Sequence, residues 1–110
     1  MGRRPSLVWT LYILDQVREG AVPYSRLVAE AAVLVPPGVA YRRGESLYKA
    51  VCKSRGQSPL NVKQDKDSTI RRGQRQIVES VIRQLSTRGR LVVYVDDDGA
   101  KMVVRGSRPL

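Results

Sequence analysis

The sequence has no histidine and no phenylalanine, one cysteine (Cys52), one tryptophan (Trp9) and two methionines among 110 residues. Without histidine, and with a lone thiol, one chain cannot assemble a His/Cys zinc site, a disulfide framework, or a Ser-His-Asp or Cys-His catalytic group. A single unpaired cysteine fits a reducing compartment, so the cytoplasm is the expected location, with nucleoid association if the protein binds DNA. No run reaches the ~18 apolar residues of a membrane span. The apolar stretch from Leu7 is broken by Thr10, Asp15 and Gln16, which also argues against a secretory signal. No glycine-rich loop of the P-loop or dinucleotide type is present. The Asp96-Asp97-Asp98 run is a poor cation site, because adjacent residues on a tight hairpin diverge, and turn chemistry explains it better. No enzymatic activity, metal or cofactor is therefore expected. With so few aromatic residues and no aromatic–basic alternation, a base-stacking platform for single strands or RNA is not expected either.

Acidic charge is also scarce. Ten Asp+Glu stand against 20 Lys+Arg, a formal net charge of +10 and a pI near 10.5. A small basic domain points to an acidic partner, nucleic acid before an anionic membrane surface. The excess is local. Residues 1–35 carry a net +1 and residues 76–110 a net +2, whereas residues 36–75 hold 10 basic and 3 acidic groups, net +7. Length predicts one domain over 1–110, and 42% apolar residues can build one core. Residues 1–5 and 107–110 are expected to be flexible tails.

Periodicity supplies the elements. Ser6 can cap a helix over 6–19 whose first turns are apolar almost all round, more than one buried stripe requires. A second helix over 24–35 places Leu27, Val28, Ala31, Ala32, Leu34 and Val35 on its apolar face and ends at Pro36-Pro37-Gly38. A third, shorter helix over 44–54 has Leu47, Tyr48, Val51 and Cys52 as its inner stripe, with Lys49 and Lys53 outside. Residues 55–67 show no period and read as a long loop. A fourth helix over 68–88 buries Ile70, Ile77, Val78, Val81, Ile82 and Leu85. Gly73 weakens its first turns by about 1 kcal/mol relative to Ala, which leaves a start after it as the alternative. Gly89 ends it. A hairpin follows, strands 90–97 and 100–106 flanking Asp98-Gly99. A two-residue turn there sets Val95 opposite Met102, Val93 opposite Val104 and Asp96 opposite Lys101. Two matching triplets, Arg42-Arg43-Gly44 and Arg71-Arg72-Gly73, stand near the starts of the last two helices. They are too short to count as a repeat.

The stretch VESVIRQLSTRGRLVVYVDDDGAKMVVR, an amphipathic helix running straight into a hairpin, resembles the recognition helix and wing of winged helix-turn-helix DNA-binding domains. The first two helices, joined by an extended link at residues 21–24, are similar to that family's first two. The likeness covers about two thirds of the chain and implies an α+β, mainly helical fold of three to four helices plus a wing, with residues 36–67 as a basic insertion. It implies that the start of the last helix reads bases in the major groove, through Arg71, Arg72, Arg75 and Gln76. Phosphates would be held by Arg42, Arg43, Lys49, Lys53, Arg55, Lys63 and Lys66. The acidic tip departs from the family's pattern, since carboxylates repel phosphates.

The expected function is double-stranded DNA binding by a small transcriptional regulator that acts by occupancy. Two alternatives belong to other classes: a module that docks on a partner protein through the first helix or the acidic tip, and a basic-patch RNA binder. A homodimer through residues 7–14 is a further expectation, because many DNA readers bind paired half-sites.

Overall fold

Residues 6–56 and 66–107 are described in this computed structural model, with side chains from residue 8 onward. They form four helices and one small antiparallel sheet, an α+β architecture dominated by helix. The order is α1 (Ser6–Gln16), β1 (Val22–Pro23), α2 (Tyr24–Ala32), α3 (Pro37–Ser54), α4 (Lys66–Thr87), β2 (Leu91–Val95) and β3 (Lys101–Arg105).

The core follows the apolar periodicity. Trp9, Ile13 and Val17, four residues apart, are buried along one side of the first helical segment. They meet Leu27, Val28 and Ala31 of α2 and Val78, Ile82 and Leu85 of α4, with Leu91 and Val103 closing the sheet side. Val8 and Leu11 stay exposed, so the surplus apolar surface of α1 is left to solvent. Helix α1 stops at Gln16 and α2 at Ala32, each three residues short of the expectation. After α2 the chain tightens, with Leu34 N–H bonded to the Ala31 carbonyl and Val35 N–H to that of Ala32, both at 3.0 Å. Burial of Val35 holds this turn in place.

Helix α3 begins at Pro37, seven residues before the expected start. Helix α2 has already ended at Ala32, before the Pro-Pro pair. A proline at the first helical position loses no hydrogen bond, because that N–H has no partner in any helix, and its φ suits the helix. The prolines expected to end one helix instead start the next. The expected inner stripe of α3 is only partly realised: Cys52 is buried, Leu47 and Tyr48 are half-buried, and Val51 is exposed. Helix α4 begins at Lys66 and passes through Gly73 without interruption. Lys66 and Asp67 are thus helical and not loop; residues 57–65 lie outside the described residues.

The hairpin register differs from the expected one by one residue. Val95 pairs with Lys101, Tyr94 with Met102 and Val93 with Val103. The turn is the reason. Asp96 N–H bonds the Ala100 carbonyl and Gly99 N–H that of Asp96, leaving a three-residue loop of Asp97, Asp98 and Gly99. Gly99 takes the left-handed conformation, φ +83°, that such a loop requires after its first turn. Asp96 Oδ1 accepts bonds from the Asp98 and Ala100 amides, at 3.0 and 2.8 Å, and this favours the longer loop. Because strand side chains alternate, the slip changes every pairing. Val103 is buried, where the expected register put Val104 on the inner face. The expected Asp96–Lys101 pair does not form. The Lys101 ammonium instead lies 4.1 Å from the centre of the Tyr24 ring.

A third strand completes the sheet. Val22 pairs with Val103 and Pro23 with Met102, giving the order β1-β3-β2. The extended link between the first two helices is thereby tied to the hairpin 80 residues later.

Two tyrosine–carboxylate–arginine groups tie the helices together. Tyr12 on α1 donates to Glu30 on α2 at 2.8 Å, and Arg26 donates to the other Glu30 oxygen at 2.9 Å. Tyr24 donates to Glu79 on α4 at 3.3 Å, with Arg75 Nε 3.2 Å from that carboxylate. The Arg26 and Tyr12 hydrogen bonds hold the Glu30 carboxyl below its ordinary value, while the Glu30 bond pushes the Tyr12 hydroxyl up. A depressed carboxyl stabilises the fold above its unfolded pKa, and that contribution disappears as pH falls through the folded value. Glu30→Gln should therefore lower the melting temperature at neutral pH and flatten the acid side of the profile below about pH 4.5. Melts between neutrality and pH 3 check this.

Candidate nucleic-acid interface

The two Arg-Arg-Gly triplets meet in space. Gly44 on α3 lies against the backbone carbonyl of Thr69 on α4, and Gly73 on α4 lies against the carbonyl of Ala40 on α3. Thr69 is four residues before Gly73, and Ala40 is four before Gly44. The two contacts are therefore the same contact made twice, related by a local two-fold between antiparallel helices. Small residues at one-turn spacing on both helices allow the backbones to approach this closely.

The crossing positions the arginines. With 3.6 residues per turn, the residue before each glycine is turned about 100° from the contact and the one before that about 200°. Arg43 and Arg72 therefore flank the crossing on one side, because the local two-fold relates them. Arg42 and Arg71 project further from it. All four are exposed. Among the described residues none of them pairs with a carboxylate; Arg71 Nη2 has only a 3.5 Å contact with Ser68 Oγ. Lys66 joins them. It lines an open cleft of about 510 Å³ with Pro37, Gly38, Tyr41, Arg42 and Ile70. Arg42 and Arg43 also border a second cleft, about 300 Å³, whose floor includes Ile77.

Other expected site residues stand elsewhere or are engaged. Arg75 is exposed but paired with Glu79, and Lys49 Nζ lies 3.6 Å from Glu45. Gln76 is half-buried, its amide 3.5 Å from Ser80 Oγ. Lys53 and Arg55 are exposed at the far end of α3, about 14–17 Å along the helix from Gly44 at 1.5 Å per residue. Lys63, like Arg3 and Arg4, lies outside the described residues. The structure thus places Arg42, Arg43, Lys66, Arg71 and Arg72 on the two helical segments that cross, and Lys53 and Arg55 at a separate α3 end. Sequence reasoning missed the two glycines as site-building residues. Their signal was the matched triplet itself.

At the hairpin tip, Asp97 and Asp98 are exposed and Asp96 is half-buried, and none has an ion pair among the described residues. Among the described residues no group of three His, Cys, Asp or Glu side chains converges as a metal site would, and no helix is long and apolar enough to cross a membrane. In comparisons with known proteins, no family model, curated protein or solved structure matches the chain.

Proposed function

We propose that the protein binds double-stranded DNA through the α3–α4 crossing and acts as a small regulator by occupancy. The observation that carries this reading is that the two helical segments of one close crossing carry five exposed cations with no carboxylate partner among the described residues. Arginines with no ion pair suit phosphate recognition, because no existing pair has to be broken and the planar guanidinium fork loses less freedom per hydrogen bond than an ammonium. The element order supports a winged-helix type of architecture: a short strand between the first two helices joins a C-terminal hairpin, and the helix before the hairpin carries the arginines. Helix α3 is the departure from that plan. It lies across the first half of α4 and leaves Arg71 and Arg72 as the residues with free donors for base edges, while Arg42, Arg43 and Lys66 hold phosphates. Arg75, paired with Glu79, supports α4 in this reading.

Titration of a labelled duplex at several salt concentrations tests the proposal. Engagement of phosphates by Arg42, Arg43 and Lys66 gives a slope of log K against log salt of about −3, and of about −4 to −5 where Lys53 and Arg55 also engage. Duplex DNA should also compete better than structured RNA of equal length. A salt-independent affinity, or none for any duplex, would overturn the reading.

A further inference from the structure

The sheet has two edges, and they are treated differently. The β1 edge is two residues long and ends in Pro23, which has no N–H to offer. The β2 edge is the run Leu91-Val92-Val93-Tyr94-Val95, with no charge, proline or bulge. Open apolar edges of this kind are normally blunted in proteins that stay monomeric. Asp96 and Arg90 both bond to β3-side partners. Alternation then aims the backbone groups of Leu91, Val93 and Val95 away from β3, toward the open edge. Val92, Tyr94 and Val95 are exposed at 46%, 38% and 66%.

The flanks of this strand carry opposite charge. Arg88-Gly89-Arg90 precedes it and Asp96-Asp97-Asp98 follows it. Among the described residues none of these five charged side chains has an ion pair, and Arg90 and Asp96 are too far apart on one extended strand to meet. A strand with a basic start, an apolar middle and an acidic end is complementary to its own antiparallel copy.

We propose that β2 pairs with β2 of a second copy of this chain, antiparallel and centred on Val93. That register uses every outward backbone group: Val93 meets the partner's Val93, and Leu91 meets the partner's Val95, for about six backbone hydrogen bonds. On the outer face Val92 lies beside the partner's Tyr94, and Arg90 beside the partner's Asp96. The two three-stranded sheets become one continuous sheet, and Val95 gains cover from the partner's Leu91. The acidic tip, unsuited to phosphates, has a basic partner in this pairing.

The test reads mass by sedimentation equilibrium at tens of micromolar in the full chain. The wild type should sediment at twice the 12.3 kDa chain mass. V92K/Y94K and V92E/Y94E each place like charges opposite one another, so each alone should dimerise at least about tenfold more weakly. An equimolar mixture of the two should restore the dimer, because every cross-strand pair is then of opposite sign. Val92 and Tyr94 are exposed, so both variants should fold, as circular dichroism will verify. Val93→Pro removes an outward N–H and no bond to β3, and should also yield monomer. A monomeric wild type overturns the proposal. So does a V92K/Y94K chain that keeps wild-type dimer affinity, which would assign the contact to another surface such as Val8 and Leu11 of α1.

Discussion

Gly73→Ala should destabilise the protein by about 3 kcal/mol or more, and Gly44→Ala should do nearly the same. Helix propensity alone gives the opposite sign, since alanine in a helix interior is favoured over glycine by about 1 kcal/mol. The close approach decides. A methyl group on Gly73 would drive into the Ala40 carbonyl and come within 2.9 Å of the Gly44 nitrogen, and one on Gly44 would meet the Thr69 carbonyl. These obstacles are backbone atoms, which cannot turn aside as a flexible side chain would. The helices must separate, and the contacts that hold α3 to α4 weaken together. A domain of this size is stable by about 5–15 kcal/mol in total, so the loss is large. Chemical denaturation of each variant measures it. A Gly38→Ala control separates the two effects: Gly38 is also helical, with open space where its Cβ would stand, and this change should be neutral or mildly stabilising. If Gly73→Ala raised stability as Gly38→Ala does, the close crossing would be wrong.

The crossing also shows where the sequence was readable and where it was not. Burial of Trp9, Ile13 and Val17, and of Ile77, Val78, Ile82 and Leu85, follows directly from helical spacing of apolar residues. Gly73 was readable only as a weak helix former, because propensity describes one helix at a time. The reason for that glycine lies on another helix, 33 residues earlier. Strand β1 has the same difficulty. Two residues ending in proline carry no alternation, and only pairing with Val103 and Met102 makes them a strand. The hairpin was visible and its register was not, because Asp98-Gly99 suits either a two-residue turn or the end of a three-residue loop. The Asp96 side chain decides between them. Within the site, arginine content was plain, but which arginines are free depended on partners. The Arg75–Glu79 and Lys49–Glu45 pairs stand at four-residue spacing, so that part was readable from the sequence and competes with the ligand role given to Arg75 and Lys49.

Replacing Arg42, Arg43, Arg71 and Arg72 together by alanine should lower affinity for the preferred duplex by about three orders of magnitude near 0.1 M salt and reduce the magnitude of the salt slope by about 2. The phosphate contacts of Arg42 and Arg43 each account for close to one decade at that salt, through the counterions no longer released, and the lost base contacts of Arg71 and Arg72 supply the rest. Stability should hardly change, because these side chains are exposed and make no ion pair among the described residues; surface changes of this kind usually stay within about 0.5 kcal/mol each. The comparison that gives the result meaning is location, since any loss of positive charge weakens binding to a polyanion somewhat. R18A/R88A/R105A removes three charges away from the crossing and should cost much less affinity. K53A/R55A, at the far end of α3, should reduce the slope by about 1–2 if DNA runs along that helix, and by nothing if it contacts only the crossing. Gly73→Ala should lose affinity together with stability, whereas the four-arginine variant should lose affinity alone. If the three-charge control weakened binding as much as the four-arginine variant, the attraction would belong to net charge and not to a site at the crossing.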